Sequence, residues 1–407
     1  MISLLIVSDI HAAANDLKND DAVSWYSTLP EYDQPDRNPF RSIPDLLKQE
    51  NLGVDLLLCP GDLADCAEPT AQDKAWRSLE SLRERIGARR LVATVGNHDV
   101  DSRAKFSNFD PKTTLQSLNP VFPGLDEPEC DFFWSRNFAI FNEGEVRFLV
   151  LNSAAFHGIH SGDPDKLDKE YLHGRVSDRT IEAINAKLQG VQFKLNVLLM
   201  HHHIYKNDHI TSADYSQMVN GASLVRKLVE ITGTPWLIIH GHQHYPDLFY
   251  ASGDSRSPVV LSAGSMSRRL TGPLQQRALN QIYHVELPFN EYGSLGWNPC
   301  GLIRSWHWID KIGWKRTNFS IPESAMIPFG AGFGCRKYPE TWAQEICTEL
   351  KSSGETRVEW KWMINRLPAL QYVLPADLRM ILTSLKDKHS IKNLKNDDGY
   401  PQELGFA

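Results

Sequence analysis

The chain has 407 residues, a length that suits either one large catalytic domain with an appendage or two ordinary domains. Hydrophobic residues make up 42% and charged residues 23%, which allows a sizeable core and excludes wholesale disorder. The formal net charge of −7 excludes a protein that coats nucleic acid through its overall field, although a local basic groove is compatible with it.

The cysteines and the apolar segments bear on the cellular compartment in which the protein resides. The six cysteines form no C-x-x-C pair, which argues against a thiolate zinc site and is typical of free thiols in a reducing environment. The N-terminal sequence lacks the basic start and cleavage site of a signal peptide, and no stretch approaches the roughly 20 apolar residues of a membrane span. We therefore expect a cytoplasmic protein with no membrane partner.

Short apolar runs, each followed by polar residues, recur along the first 240 residues. They lack a clean alternation, which is typical of strands buried on both faces. Helical patterns separate them, and Ser177 is a plausible N-cap for one of the helices. The alternation of strands and helices predicts an α/β architecture. The predicted strands are 3–8, 55–59, 91–95, 146–152, 195–200 and 236–240, and the predicted helices are 70–86, 178–188 and 222–231.

The pattern changes after residue 247. Four further runs with turn residues between them predict a second, antiparallel set of strands that completes a sandwich. From residue 338 the pattern becomes helical, and the polar end from Asn393 is expected to fray. We predict a catalytic domain over 1–337 and a small helical appendage over 338–407. The predicted strands are 248–251, 258–263, 281–287 and 301–309, and the predicted helices are 341–350, 358–366 and 374–386.

Five of the apolar runs end in clusters of carboxylate, amide and imidazole side chains. In α/β sheets the carboxyl ends of the strands form the edge where ligands bind. Oxygen and imidazole ligands without thiolates suit divalent Mn, Fe or Zn, and the supply of ligands matches a pair of metals about 3.5–4 Å apart. Glycines at 61, 96 and 241 allow the tight turns that let such side chains converge. The clusters are Asp9-Ile10-His11, Gly61-Asp62, Gly96-Asn97-His98-Asp99, His201-His202-His203 and Gly241-His242-Gln243-His244.

The order D-x-H, G-D, G-N-H-D, H and G-H-x-H over residues 9–244 resembles the calcineurin-like metallophosphoesterase superfamily. The resemblance implies a four-layer α-β-β-α sandwich with mixed sheets. It also implies that a hydroxide between two metals attacks the phosphorus atom, and that His98 stabilises the developing charge or protonates the leaving group. Asp99 would orient His98. The implied ligands are Asp9, His11 and His244 for one metal, Asn97, His201 and His242 for the other, and Asp62 as the bridge.

Several assignments stay open at this level. The family often has Pro after the fourth-motif histidine, whereas this chain has three histidines in a row; His201 is preferred because it follows the strand, but His202 or His203 is an alternative. Arg268 and Arg269 follow a predicted strand and are candidates to bind the substrate phosphate, although a solvated turn explains them equally well. The tryptophans at 306, 308 and 314 suit either a stacking platform for bases or the core.

The leading functional hypothesis is a phosphodiesterase that acts on a nucleotide or a nucleic acid with two divalent metal ions. Phosphomonoesterase is an alternative, because the same ligands serve monoesters. A second class is a partner-regulated effector nuclease whose C-terminal helices dock another protein. A metal-binding protein without catalysis is a third, and the presence of His98 beside the ligands argues against it.

Overall fold

The computed structural model describes residues 1–158, 173–190, 192–206, 217–251, 257–288, 299–320 and 325–406. The strands are β1 Ile2–Ile6, β2 Leu56–Cys59, β3 Arg90–Ala93, β4 Phe138–Glu143, β5 Val146–Leu151, β6 Leu195–Leu199, β7 Leu237–His240, β8 Asp247–Tyr250, β9 Val259–Ser262, β10 Gln281–Leu287, β11 Gly301–Ile309, β12 Gly313–Arg316, β13 Ala331–Phe333, β14 Arg357–Glu359, β15 Ile391–Lys395 and β16 Pro401–Phe406. The α-helices are α1 Pro39–Gln49, α2 Pro69–Ile86, α3 Thr113–Gln116, α4 Glu127–Arg136, α5 Asp178–Leu188, α6 Gly221–Thr232, α7 Pro273–Arg277, α8 Pro339–Ser352, α9 Trp360–Arg366 and α10 Pro375–His389.

Two mixed sheets carry the fold. The first has the order β12-β11-β10-β1-β2-β3, with β13 paired to β11. Its strands β1, β2 and β3 are parallel, and β10 joins β1 in antiparallel register. The second has the order β4-β5-β6-β7-β9-β8, in which the four central strands are parallel and the two edge strands antiparallel.

The strands after residue 247 do not form the separate antiparallel set that the sequence predicts. β8 and β9 extend the second sheet, and β10 and β11 extend the first. β9 is parallel to β7, with Val259 opposite Leu237. Every residue of β9 is buried, as is usual for a strand inside a parallel sheet. Its apolar run therefore does not indicate which strand it pairs with.

Side chains of the second sheet alternate between two cores. Leu199 and Ile239 face the first sheet, whereas Leu198 and Ile238 pack against α5 and α6. On the first sheet lie α1 and α2, through residues such as Phe40, Ile43, Trp76 and Leu79. The result is the predicted four-layer α-β-β-α sandwich with mixed sheets, which is confirmed. Ser177 caps α5 as expected, because its hydroxyl accepts the N–H of Thr180.

The C-terminal unit, residues 338–406, contains more than the predicted helices. α8 and α10 lie where the sequence predicts helices, but the predicted helix 358–366 begins only at Trp360, because Arg357–Glu359 is a strand. The predicted fraying from Asn393 is also wrong. β15 and β16 form a hairpin there, and the polar residues between them are its turn, with Gly399 at φ 83°.

The C-terminal unit packs on the rest of the chain. The N–H of Cys335 donates to the carbonyl of Tyr372 at 3.0 Å, and the N–H of Phe319 donates to the carbonyl of Asp398 at 2.8 Å. Arg316 bridges Glu50 and Asp398. Contacts of this kind on several strands and loops fix the unit against the first sheet.

Two further expectations concern apolar surface. Trp306, Trp308 and Trp314 are buried, so they belong to the core and offer no platform for bases. Within the described residues, no helix combines the length and the apolar composition that a bilayer crossing requires.

Candidate metal centre

The first half of the predicted centre comes together at the carboxyl end of β1. The Nε2 atoms of His11 and His244 are 3.0 Å apart. Nε2 of His244 lies 3.3 Å from Oδ1 of Asp9, and Nε2 of His11 lies 3.4 Å from Oδ2 of Asp62. All four side chains are buried. They therefore form one compact set of two carboxylates and two imidazoles.

The second half lies beside it, at the ends of β3, β6 and β7. Oδ1 of Asn97 is 2.9 Å from Nε2 of His201 and 2.9 Å from Nδ1 of His242. Nε2 of His201 is 3.4 Å from Oδ2 of Asp62. The same carboxylate oxygen of Asp62 thus lies 3.4 Å from one histidine of each half.

The spacing of these atoms fits cations. Nitrogen and oxygen ligands at about 2.1 Å around one cation lie about 3.0–3.4 Å from one another. The observed separations of 2.9, 3.0, 3.3 and 3.4 Å fall in or next to this range. The donor set contains only nitrogen and oxygen, which suits Mn, Fe and Zn.

The three consecutive histidines have different surroundings. Nδ1 of His201 is 2.8 Å from the carbonyl of Pro60, so this nitrogen donates to the carbonyl and Nε2 faces Asn97 and Asp62. His202 has its Nδ1 2.8 Å from the hydroxyl of Ser153. His203 stacks on the ring of His242. The geometry therefore places His201 at the centre, with His202 near enough to His201 and His242 to share a cation with them.

The backbone at the centre is strained. Asp9, His11, Asp62, His242 and His244 all have φ between 48° and 73°, a region that non-glycine residues rarely adopt. Each such residue costs about 1–3 kcal/mol, and clusters of them mark functional sites. The turns aim side chains from the strand ends into one volume.

Two glycines make room for the carboxylates. A Cβ atom at Gly96 would lie 2.1 Å from Oδ1 of Asp62, and one at Gly241 would lie 2.2 Å from Oδ2 of Asp9. The sequence analysis attributes these glycines to turns. The structure shows instead that their missing side chains leave the space that the carboxylates fill.

Asp99 does not have the expected role. Its carboxylate accepts the N–H groups of Asp62 at 2.8 Å, Leu63 at 2.7 Å and Gly96 at 2.9 Å. It thereby ties together the two loops that carry Asp62 and His98. Asp99 is buried, and these contacts make it a brace for the backbone rather than the partner of the His98 ring.

The carboxylate beside His98 is that of Asp65, which the sequence analysis missed. Oδ1 of Asp65 lies 3.3 Å from Nδ1 of His98, 3.7 Å from Nδ1 of His11 and 2.6 Å from NH1 of Arg268. Asp65 follows Asp62 by three residues and begins a turn, Asp65–Ala67, in which Cys66 has a positive φ. A second carboxylate three residues after the Gly-Asp pair was the signal that could have found it.

Burial and charge set the protonation of the centre. Burial lowers the pKa of His11 to about 4. Burial also opposes protonation of His201 and His98, but the carboxylate of Asp62, helped at His98 by Asp65, outweighs it and raises the pKa of His201 to about 9 and that of His98 to about 10. Burial acts to raise the pKa of Asp62, yet His201 and His98 hold it well below its usual range. Without cations, protonated imidazoles balance the buried carboxylates, and bound cations would replace those protons.

A cavity of about 430 Å³ opens above the centre. Asp62, Asn97, His98, His242 and His244 contribute to its wall, and Arg268 and Arg269, the candidates to bind the substrate phosphate, also line it. The guanidinium of Arg268 is paired with Asp65. That of Arg269 donates to the carbonyls of Leu17 and Asn19 and lies over the ring of Trp25, so it holds the long segment after β1.

Among the solved structures that match the chain are a putative 5'-nucleotidase from Staphylococcus aureus in complex with alpha-ketoglutarate (16% identity, TM-score 0.37, 72% of this chain and 51% of that one), purple acid phosphatase PPD1 from yellow lupin, Lupinus luteus (12%, 0.45, 75% and 51%), and PhoD (11%, 0.40, 80% and 72%). The chain thus spans about half the length of the first two. A search of curated proteins found no match.

The comparison of sequence families is more specific. The sequence model described as calcineurin-like phosphoesterase matches residues 2–246, the part of the chain that contains all seven candidate ligands. The chain belongs to the calcineurin-like phosphoesterase family.

Proposed function

We propose that the chain is a phosphodiesterase that hydrolyses a nucleotide or nucleic-acid diester with two divalent metal ions, Mn, Fe or Zn. The observation that carries the proposal is the position of Asp62. One of its oxygens lies 3.4 Å from a histidine of each half of the centre, which is the place of a ligand shared between two cations. Asp9, His11 and His244 would complete one set, and Asn97, His201 and His242 the other.

Cations held by these residues would polarise a phosphoryl oxygen and make an attacking water acidic. The protein side chains would position the substrate and supply a proton to the leaving group. The ring of His98 is 29% exposed, so it reaches the cavity while its main chain stays fixed by the bond from its N–H to Oδ1 of Asp62 at 2.8 Å. The carboxylate of Asp65, 3.3 Å from Nδ1, favours the protonated form of this ring. A protonated ring at this place is suited to donate its proton to the departing alkoxide.

The shape of the cavity supports a diester. A diester carries a substituent on each side of the phosphorus atom, whereas a monoester carries one. The cavity continues beyond the metal ligands, and two further segments line it, residues 100–103 with Lys105 and residues 268–271 with Leu274. This gives both substituents a place to lie.

The test is a pair of model substrates that differ in ester type. With Mn²⁺ present, we expect higher kcat/KM on bis-p-nitrophenyl phosphate than on p-nitrophenyl phosphate, and loss of both activities in Asp62→Ala and Asn97→Ala. The reverse preference would identify a phosphomonoesterase. Absence of both activities, or activity that survives in Asp62→Ala, would refute the proposal.

The role of the C-terminal unit in binding a partner stays a prediction. Its helices bury most of their apolar residues within the unit, including Trp342, Ile346, Ile381 and Leu385. This packing supports a structural contribution. Removing residues 338–407 tests it: an active, soluble monomer would favour an interaction module, and insoluble protein would favour integral packing.

A further inference from the structure

A turn beside the cavity holds one nitrogen of the His98 ring. Oδ1 of Asp65 lies 3.3 Å from Nδ1 of His98, and the main-chain N–H of Cys66 also lies 3.3 Å from this nitrogen. Both contacts come from the turn Asp65–Ala67. Because Nδ1 faces this turn, Nε2 is the ring nitrogen that remains to act on a substrate in the cavity, which His98 lines.

An arginine from a distant part of the chain holds the carboxylate of Asp65. NH1 of Arg268 lies 2.6 Å from Oδ1 of Asp65, the same oxygen that lies 3.3 Å from His98. The side chains of Arg268 and Asp65 are only 27% and 20% exposed, so water screens this pair less than an ion pair on the open surface. Arg268 therefore fixes the carboxylate that contacts the His98 ring and balances its charge.

The main chain of Arg268 is anchored to the loop that carries Asp9. Its N–H donates to Oγ of Ser265 at 2.7 Å, and the hydroxyl of Ser265 donates to the carbonyl of Asp9 at 2.5 Å. The carbonyl of Arg268 accepts an N–H of the Asn280 side chain at 2.9 Å. The guanidinium thus extends from a fixed point of the backbone to a fixed carboxylate, which is the arrangement of a preorganised support.

We propose that Arg268 is a positioning residue that acts through Asp65 on proton donation by His98, rather than a ligand of the substrate phosphate. The inference deepens the proposed function and rests on it. As the bond between phosphorus and the leaving oxygen breaks, its electron pair goes to that oxygen, and Nε2 of His98 supplies the proton. A displaced ring would lose this step, whereas the substrate would still bind. Arg268 therefore contributes to kcat.

Two diesters that differ only in the leaving group test the proposal. p-Nitrophenolate leaves readily without a proton, whereas phenolate is a stronger base and depends on one. With Mn²⁺ present, we expect kcat of Arg268→Gln to fall about tenfold on diphenyl phosphate and less than about twofold on bis-p-nitrophenyl phosphate, with KM unchanged on both. Arg268→Lys keeps the charge and should restore part of the loss.

A double variant shows whether Arg268 acts through Asp65. Asp65→Asn removes the charge that Arg268 holds, so adding Arg268→Gln to it should cause no further loss on diphenyl phosphate. Arg77→Gln, which removes an exposed arginine paired with Asp73, is the control and should leave both rates at the wild-type value. The melting temperature of each variant separates a loss of rate from a loss of folded protein.

The outcomes distinguish this proposal from the proposed function. Equal losses or no loss on the two diesters, or losses that multiply in the double variant, would overturn the role of Arg268, and a rise in KM would assign it to the substrate phosphate. A wild type that hydrolyses p-nitrophenyl phosphate but neither diester would overturn the proposed function alone. The same comparison of phenyl phosphate with p-nitrophenyl phosphate would then decide the role of Arg268. A wild type without any of these activities would overturn both.

Discussion

The candidate metal centre and the C-terminal unit differ in what they bury. The centre encloses carboxylates and imidazoles such as Asp9, Asp62 and His201, on a backbone with five non-glycine residues at positive φ. The C-terminal unit encloses side chains such as Trp342 and Ile381 in an apolar core that also includes Phe319 and Cys335. Strain and buried charge cost stability, whereas apolar burial supplies it. Function and stability are therefore expected to respond to mutations in different parts of this chain.

The largest effect is expected at Asp62. Asp62→Ala removes the carboxylate shared by both halves, and we expect kcat/KM on bis-p-nitrophenyl phosphate to fall by about four orders of magnitude. Asp73→Ala, which removes an exposed carboxylate paired with Arg77, should leave activity unchanged. Similar rates in the two variants would place the chemistry elsewhere.

The C-terminal unit should respond in stability. Trp342 is 1% exposed, so Trp342→Ala is expected to lower the free energy of unfolding by about 3–5 kcal/mol, measured by urea denaturation. The fraction that remains folded should keep its kcat. Tyr338, which is 80% exposed, provides the control, since Tyr338→Ala should cost less than about 0.5 kcal/mol. Equal costs at the two positions would show that Trp342 does not belong to an apolar core.

Substitution of His98 should impair proton transfer without affecting metal binding. His98→Ala should lower kcat about a hundredfold while the metal content, measured by mass spectrometry, stays at the wild-type value. Asp65→Asn should act in the same direction with a smaller loss, because it leaves the ring in place without its carboxylate. Loss of metal in His98→Ala would assign this residue to the ligands.

Mn²⁺ should stabilise the candidate metal centre and leave the stability of the C-terminal unit unchanged. Mn²⁺ at a hundred times its dissociation constant stabilises the folded state by about 2.7 kcal/mol, seen as a rise in the melting temperature. Hydrogen exchange should slow at residues 9–11 and 61–65 and stay constant over 339–352. An equal rise in the melting temperature of Asp62→Ala, or slower hydrogen exchange throughout the C-terminal unit, would contradict this difference between the two regions.

The smallest effect concerns pH. His284 is buried with Nε2 2.8 Å from the carbonyl of Gly53, and burial lowers its pKa below the ordinary value. The unfolded chain therefore takes up this proton first, and stability falls as pH drops through about 6.5. In His284→Gln the free energy of unfolding should depend less steeply on pH between about 7 and 5. An unchanged slope would contradict the assignment.

The centre was predictable because each ligand directly follows a buried apolar run. Asp9, Asn97 and His242 need only the rule that parallel strands end at one edge of a sheet. Asp65 does not follow an apolar run but lies at the start of a turn with a positive φ at Cys66, which no local sequence pattern indicates. The braced position of Asp99 depends on main-chain amides from two loops, and such contacts appear only in three dimensions.

The sequence predicts the regular helices of the fold but not all of the strand pairings. α2, α5 and α6 have regular apolar spacing and were found to within one or two residues. The pairing of β9 was not predictable, because a strand buried on both faces fits beside several partners. The hairpin of β15 and β16 was read as a fraying end, since it is short, largely polar and stabilised by long-range contacts.

The most direct test is anomalous diffraction from crystals grown with Mn²⁺. Two peaks about 3.5–4 Å apart are expected, one on the side of His11 and one on the side of His201, with the Asp62 carboxylate between them. A single peak, or two peaks neither of which contacts Asp62, would contradict the shared centre.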